Sequence, residues 1–345
     1  MEELGYEKLK SDYCCFVYCK GEDFSILLVW VDDLINFSND TDCVKWELKT
    51  KFEINVIGEP SILLGMKIDH DNKKKTITLS QTHYIDSLLK CFGLTNANTI
   101  LTPMDLNVNL DEEEDEGKGE KEGKDIDERG PKTYATAIES LMYAALATRP
   151  DIAYPVQQLA QFTKNPWPKN WTAVKQVFQY LKGTRTHALM FRGSDHSWVT
   201  KLTFFCNADW ASNTDWKSTS SYIILFAGGA IAWSMKKQST IALSTAKAEY
   251  IVATHISKQV LWHWTFCEEL TIPQPTTSTI LCNNQAAITI AHHPEFHTHM
   301  KHINITMHFL CDLVESVMIN IIYVPSCKNL ADLFMKGLAR PCIQN

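Results

Sequence analysis

The sequence predicts a mixed α/β protein built from more than one unit. Three observations predict it. Apolar residues make up 45% of the 345, enough for a sizeable core. Runs of strand length, rich in β-branched and aromatic residues, recur at both ends of the chain, with amphipathic helical stripes between them. An acidic run, DEEEDEGKGEKEGKDIDER (111–129), divides the two halves. It holds eleven acids and four bases, which accounts for the whole net charge of −7 and leaves the rest of the chain neutral. Without apolar periodicity, and with Gly117, Gly119 and Gly123 inside it, this run reads as a disordered linker.

Before the run, residues 13–19 and 24–31 flank the turn signal KGED and read as a β-hairpin, with Asp32 and Asp33 after its second strand. Residues 41–52 suit a helix. ILLGMKI (62–68) and KTITLSQ (75–81) read as strands around the turn HDNKKK, and THYIDSLLKCFGL (82–94) reads as a helix ending at Gly93. After the run, Tyr134, Ile138, Leu141, Met142 and Leu146 keep helical spacing up to Pro150. Trp171, Val174, Phe178 and Leu181 form a second stripe closed by Gly183.

From about residue 200 the period changes. KLTFFCNADW (201–210), SYIILFAG (221–228) and AIAWSMKK (230–237) read as three strands, with Gly228–Gly229 as a turn. A long helix follows over about 245–270, with Ser244 as its cap. STILCNN (278–284) is a fourth strand, QAAITIAH (285–292) a short helix and HINITMHFLCDLVES (302–316) another. INIIYVP (319–325) is a fifth strand and NLADLFMKGL (329–338) a final helix. Three antiparallel strands followed by strand–helix alternation make a mixed sheet with helices.

Several function classes are disfavoured. No apolar stretch approaches the ~20 residues that span a bilayer, and no basic leader with an apolar region and cleavage site is present, so no membrane partner is expected. Eleven scattered cysteines without a C-x-x-C pair suit buried thiols in a reduced intracellular compartment, cytoplasm or nucleus alike. His292, His293, His297, His299, His302 and His308 lack a cysteine partner at zinc spacing.

The motifs themselves carry a resemblance. SILLVWVDDLINFS (25–38) resembles the reverse transcriptase hairpin with its Tyr-Val-Asp-Asp motif, Trp30 standing at the tyrosine. GEPSILLGMKI (58–68) and LSQTHYIDSLLKCFGL (79–94) resemble the segments that follow it. SLMYAALATRPDIAYPV (140–156) and YLKGT (180–184) resemble a helical connection. NADWASN, STSSY, LSTAKAEY, CNNQAAI, HPEFHTHMKHIN and NLADLFMK resemble a ribonuclease H in order and spacing. Together they are similar to the C-terminal part of the Pol polyprotein of copia-type (Pseudoviridae) retrotransposons, over nearly all the chain except the acidic run. The implied organisation is the C-terminal part of a reverse transcriptase over 1–110, palm end and following region. The acidic linker over 111–130, a helical connection over 131–195 and a ribonuclease H-like domain with a five-stranded mixed sheet over 196–345 follow.

The resemblance also implies sites. Asp32 and Asp33 correspond to polymerase carboxylates that bind divalent metal; polymerases and nucleases use two ions ~3.5–4 Å apart. In the family a further aspartate lies upstream with the fingers and much of the palm, so a truncated polymerase remnant is expected. The four ribonuclease H carboxylate positions fall on Asn207, Glu249, Asn283 and Asp332. Two are amides, so the formal site charge drops from −4 to −2. Asp209, on the same strand face as residue 207, is a possible rescue. Asp32, Asp33, Glu249 and Asp332 are the expected metal ligands, for Mg²⁺ or Mn²⁺ held weakly. Lys301 and His302 are expected phosphate contacts. Lys247 replaces the family's glutamate in a capping box, placing a cation at the positive end of the helix. The expectation is therefore a remnant that is not an enzyme. A non-catalytic nucleic-acid-binding module and a residual ribonuclease H through Asp209, Glu249 and Asp332 stand as alternatives. The implied partners are RNA–DNA hybrid, DNA or RNA, and the remainder of the polyprotein.

Overall fold

A computed structural model describes residues 1–105, 110, 130–193, 201–211, 215–293 and 305–335. The acidic run, His297, His299, Lys301 and His302 lie outside the described residues. Strands β1 (Glu7–Lys8), β2 (Cys15–Lys20), β3 (Asp23–Trp30) and β4 (Asp33–Ser38) form an antiparallel sheet in that order. The expected hairpin is β2–β3, turning at Gly21. Strand β4 completes the hairpin that 25–38 resembles: Val31, at φ 51°, tightens the chain so that Trp30 pairs with Asp33. Helix α1 (Thr41–Lys51) is capped by Asp40, which accepts from the Cys43 N–H at 3.0 Å. Its Val44 and Leu48 pack with Leu27 and Tyr6 on one face of the sheet.

A second sheet runs β5 (Ile62–Leu63), β6 (Met66–Asp71), β7 (Thr76–Ser80), β8 (Ala188–Arg192). Two details depart from the expectation. ILLGMKI is not one strand but folds back on itself, because Leu64 and Gly65 take φ 49° and 72°, the left-handed pair of a two-residue hairpin turn. And β8 comes from the stretch read only as helical, pairing with β7 far upstream.

Helices α2 (Thr82–Cys91), α3 (Gly130–Ala147), α4 (Ala153–Ala160) and α5 (Pro168–Gly183) share one core of Leu88, Tyr134, Ile138, Leu141, Val156, Leu159, Val174 and Phe178. On α3 the buried stripe continues through Ala144 and Ala145, while Leu146 is 63% exposed. Leu146 sits about 120° around the helix from Tyr134 at 3.6 residues per turn. Spacing alone misplaced it because small alanines fill the closest approach.

The third sheet is the five-stranded mixed sheet expected. Its strands are β9 (Thr203–Asp209), β10 (Thr219–Phe226), β11 (Gly229–Lys237), β12 (Ser278–Cys282) and β13 (Ile319–Tyr323), in the order β11-β10-β9-β12-β13. The first three pair antiparallel; β12 runs parallel to both β9 and β13. Helices α6 (Thr245–Glu269), α7 (Gln285–His292) and α8 (Ile305–Glu315) connect the strands. They cover one face, burying Phe204, Ile224, Tyr250, Ile256, Ile280 and Leu310. The expected final helix begins, within the described residues, as a short 3-10 turn of helix over Leu330–Phe334.

The opposite face of this sheet is closed by the upstream units. Phe205, Ile223, Trp233 and Met235 pack against Tyr154, Leu189 and Phe334. The Trp233 indole N–H donates to the Ala145 carbonyl at 2.8 Å, giving a buried donor its partner. Gly229 allows the approach of β8: a Cβ there would lie 2.6 Å from the Met190 carbonyl oxygen. At the far end of α6, the Glu269 carboxylate accepts the Lys10 and Ser11 N–H groups at 3.2 and 3.1 Å, and the Ser11 hydroxyl. Trp262 donates to the Ser11 carbonyl at 3.2 Å. No helix among the described residues is long and apolar enough to cross a membrane. The described thiols divide between buried (Cys15, Cys206, Cys267, Cys282, Cys311) and exposed (Cys14, Cys19, Cys43, Cys91, Cys327), so the all-buried expectation holds only for the first group.

Candidate metal centre

Parallel strands end on the same sheet edge, and β9 and β12 do so here. Their last ladder pair is Cys206 with Cys282. The next residues are Asn207 and Asn283, which the same register sets side by side. Ser244 caps α6 by accepting the Lys247 N–H at 3.2 Å. That start places Glu249 in the second turn, buried against β9 and β12, with its carboxyl oxygen 3.9 Å from the Cys282 sulfur. Asp332 arrives on the 3-10 turn. Asn329 anchors that turn to β9, donating to the Cys206 carbonyl at 2.8 Å and accepting from the Ala331 N–H at 3.1 Å. The buried Ser221 hydroxyl donates to the Ala331 carbonyl at 2.8 Å.

The side chains then meet. The Asn207 Nδ2 donates to the Asp332 Oδ1 at 2.9 Å. Asn283 donates from Nδ2 to the Ser326 hydroxyl at 3.1 Å, and its Oδ1 is shielded from solvent with no hydrogen-bond partner. Asn284 turns away and caps α7, accepting the Ala287 N–H at 3.0 Å. Glu249 is close enough to Asp209 and Asp332 for both to disfavour its charge. Asn207, Asp209, Glu249 and Asp332 are thus gathered from β9, α6 and the 3-10 turn. Asp32 and Asp33 are elsewhere, exposed at the β3–β4 turn of the first sheet. His292 has a structural partner: its Nε2 lies 3.4 Å from the Ile321 carbonyl.

Glu249 is pushed up from 4.5 to about 9. Burial is the largest cause; the Cys282 sulfur, Asp332 and Asp209 add to it, against the Ala208 N–H that favours the carboxylate. The folded protein therefore keeps a proton there through neutral pH. The stabilisation from that raised value is complete below the unfolded value near 4.5 and is lost as pH rises toward about 9. Glu249→Gln is expected to flatten this slope, leaving the variant relatively more stable at pH 8 than at pH 5. Thermal midpoints of both proteins across that range check it; parallel curves would contradict it.

Among the described residues no group of three or more His, Cys, Asp or Glu side chains stands where it could hold a metal ion. The donors at this edge are carboxylates mixed with amides. Oxygen donors of this kind suit a hard divalent cation such as Mg²⁺ or Mn²⁺, and the Asn283 Oδ1 is a neutral acceptor without a partner beside Ser326. The residues fit such an ion, with fewer charges than a two-ion site uses.

Ser221, Ser326 and Asn329 were not singled out from sequence. Asn329 carries a local signal, an Asx cap two residues before Ala331; the serines carry none, since their partners are remote in the chain.

Comparison with known proteins agrees with the motifs. Residues 1–106 match the family model described as reverse transcriptase (RNA-dependent DNA polymerase). The chain is 33% identical over 345 residues to the retrovirus-related Pol polyprotein from transposon TNT 1-94 of Nicotiana tabacum, covering 99% of this chain and 25% of that protein. It is 31% identical over 346 residues to the retrovirus-related Pol polyprotein from transposon RE2 of Arabidopsis thaliana, covering 99% and 23%. The chain therefore spans about a quarter of the length of these relatives. A solved N-terminal RNase H domain from Mycobacterium tuberculosis, studied as a maltose-binding-protein fusion, is 14% identical. It covers 39% of this chain and 94% of that one at a TM-score of 0.26, too low to weigh by itself. These matches correct the expectation that the chain is not an enzyme. They point to enzyme families, and no finding shows that activity has been lost. The sequence relatives and the reverse transcriptase match agree: over nearly its whole length this chain is similar to part of the Pol polyproteins of plant copia-type retrotransposons.

Proposed function

We propose that the C-terminal part of this chain is a divalent-ion-dependent ribonuclease H acting on RNA–DNA hybrids, working inside a cell as one segment of a larger Pol polyprotein. The observation that supports it is the convergence of Asp209, Glu249 and Asp332 with Asn207 at one sheet edge. In this reading residues 1–110 are the C-terminal part of a reverse transcriptase, with Asp32 and Asp33 as its carboxylates. Residues 131–195 connect it to the nuclease at 196–345. A divalent ion bound at the edge would supply activation of the attacking water and stabilisation of the leaving oxygen. Glu249 and Asp332 would hold that ion by charge, with Asn283 a candidate neutral donor and Asp209 adding negative potential.

The two amides make the hold weak, so activity is expected to need high Mg²⁺ or Mn²⁺. Ion binding must also displace the Glu249 proton. Since that group loses its proton only toward about pH 9, the ion concentration for half-maximal activity should fall as pH rises from 7 to 9. Cleavage of a labelled RNA–DNA hybrid by the full chain, against an Asp332→Ala control, tests the proposal. Turnover above the control supports it, and equal turnover sinks it. Salt-dependent hybrid binding without cleavage would instead make the chain a non-catalytic nucleic-acid-binding module.

A further inference from the structure

We infer that this centre takes one divalent ion rather than two, because the Asn207 amide already occupies the Asp332 carboxylate. The inference rests on reading the sheet edge as an ion site. The Asn207 Nδ2 lies 2.9 Å from the Asp332 Oδ1. The reverse orientation of the amide would set oxygen against carboxylate oxygen, so the NH₂ group must be the one that faces Asp332. A hydrogen bond to an ionised acceptor is among the stronger ones. It gives the Asp332 carboxylate an internal donor where a cation would otherwise be its partner.

The contact is also held in place. Asn207 is 5% exposed on the central strand of the sheet, so its side chain has little room to swing clear. Asp332 is carried by a turn that Asn329 and Ser221 tie to β9 and β10. Opening the pair would strand a buried amide donor, which is costly. On the neighbouring strand the arrangement is the opposite. Asn283 spends its NH₂ on Ser326 and leaves a solvent-shielded Oδ1 unpartnered, next to the Cys282 position that Glu249 approaches. Asn207 thus has its donor satisfied within the protein, whereas Asn283 keeps an acceptor that is not.

Calorimetric titration of the full chain with Mg²⁺, for the parent and for Asn207→Asp, counts the ions. Other acidic stretches contribute equally to both proteins, so only the difference matters. The variant is expected to bind one more ion per chain, with affinity at this centre tighter by about tenfold or more. In the parent, with selectively ¹⁵N-labelled asparagine, the Asn207 side-chain resonance should stay fixed through the titration while that of Asn283 moves. That second measurement needs no variant. Equal ion counts in the two proteins, or a parent Asn207 resonance that shifts with Mg²⁺, overturn the one-ion inference while leaving the ion site standing. No response of either resonance, with no added ion in the variant, overturns the ion site and the proposed nuclease with it.

Discussion

Replacing Asn207 and Asn283 together by aspartate is expected to raise ion-dependent hydrolysis of an RNA–DNA hybrid by about a hundredfold or more at sub-saturating Mg²⁺. Disturbing residues that merely support metal ligands changes affinity or activity by about 10–100-fold. Here two direct positions regain charge, so the gain should be at least as large. The Asn207 replacement also removes the donor now bound to Asp332. A carboxylate at 207 would then face that of Asp332 across hydrogen-bond distance. Without ions this repulsion should lower the thermal midpoint, and added Mg²⁺ should restore it by binding only the folded state. Initial rates and thermal midpoints in chelator and in Mg²⁺ check both halves. A double variant no faster than the parent would show that the amides do not limit the reaction.

Arg149→Met is expected to destabilise the helical unit by about 3–5 kcal/mol, the usual result of removing one partner from a buried ion pair. Arg149 is 1% exposed. Its guanidinium donates to both Asp151 carboxylate oxygens at 2.9 and 2.6 Å, to the Thr184 carbonyl at 3.1 Å and to the Thr184 hydroxyl at 2.5 Å. The Tyr180 hydroxyl donates to the same carboxylate at 2.6 Å. One network thus joins the end of α3, the start of α4 and the end of α5. The variant strands the Asp151 charge with only Tyr180 to satisfy it. Replacing both Arg149 and Asp151 by apolar residues should cost less than Arg149→Met alone, since no unpaired charge then remains. Denaturant unfolding followed by tryptophan fluorescence separates these outcomes; a single variant no less stable than the double contradicts the account.

The pH dependence of that network has a definite sign. Burial pushes the Asp151 carboxyl up, but Arg149 and Tyr180 overcome it and hold the group below its ordinary 3.8. A depressed carboxyl contributes stability that is present above its unfolded value and lost as pH falls through the folded one. The helical unit should therefore resist mild acid until below pH 3.8, whereas the Glu249 contribution runs the other way at alkaline pH.

The sequence by itself determined the local elements and singled out the candidate site positions. Alternation placed β9 through β13, and a 3.6-residue period placed α5 and α6, because each pattern reports the direction of a side chain relative to its own backbone. Ser244 as the α6 cap and Asn284 as a residue facing away from the site were legible for the same reason. The amides at 207 and 283 were visible wherever the family motif was recognised. Only the tertiary structure decided what those residues do. The pairing of β8 with β7 and the covering of the five-stranded sheet by Tyr154 and Leu189 depend on segments far apart in the chain, which leave no period to read. The same holds for the bond from Asn207 to Asp332 and the orientation of Asn283 by Ser326. The proton on Glu249 is a property of desolvation, and burial exists only once all the surrounding elements have packed.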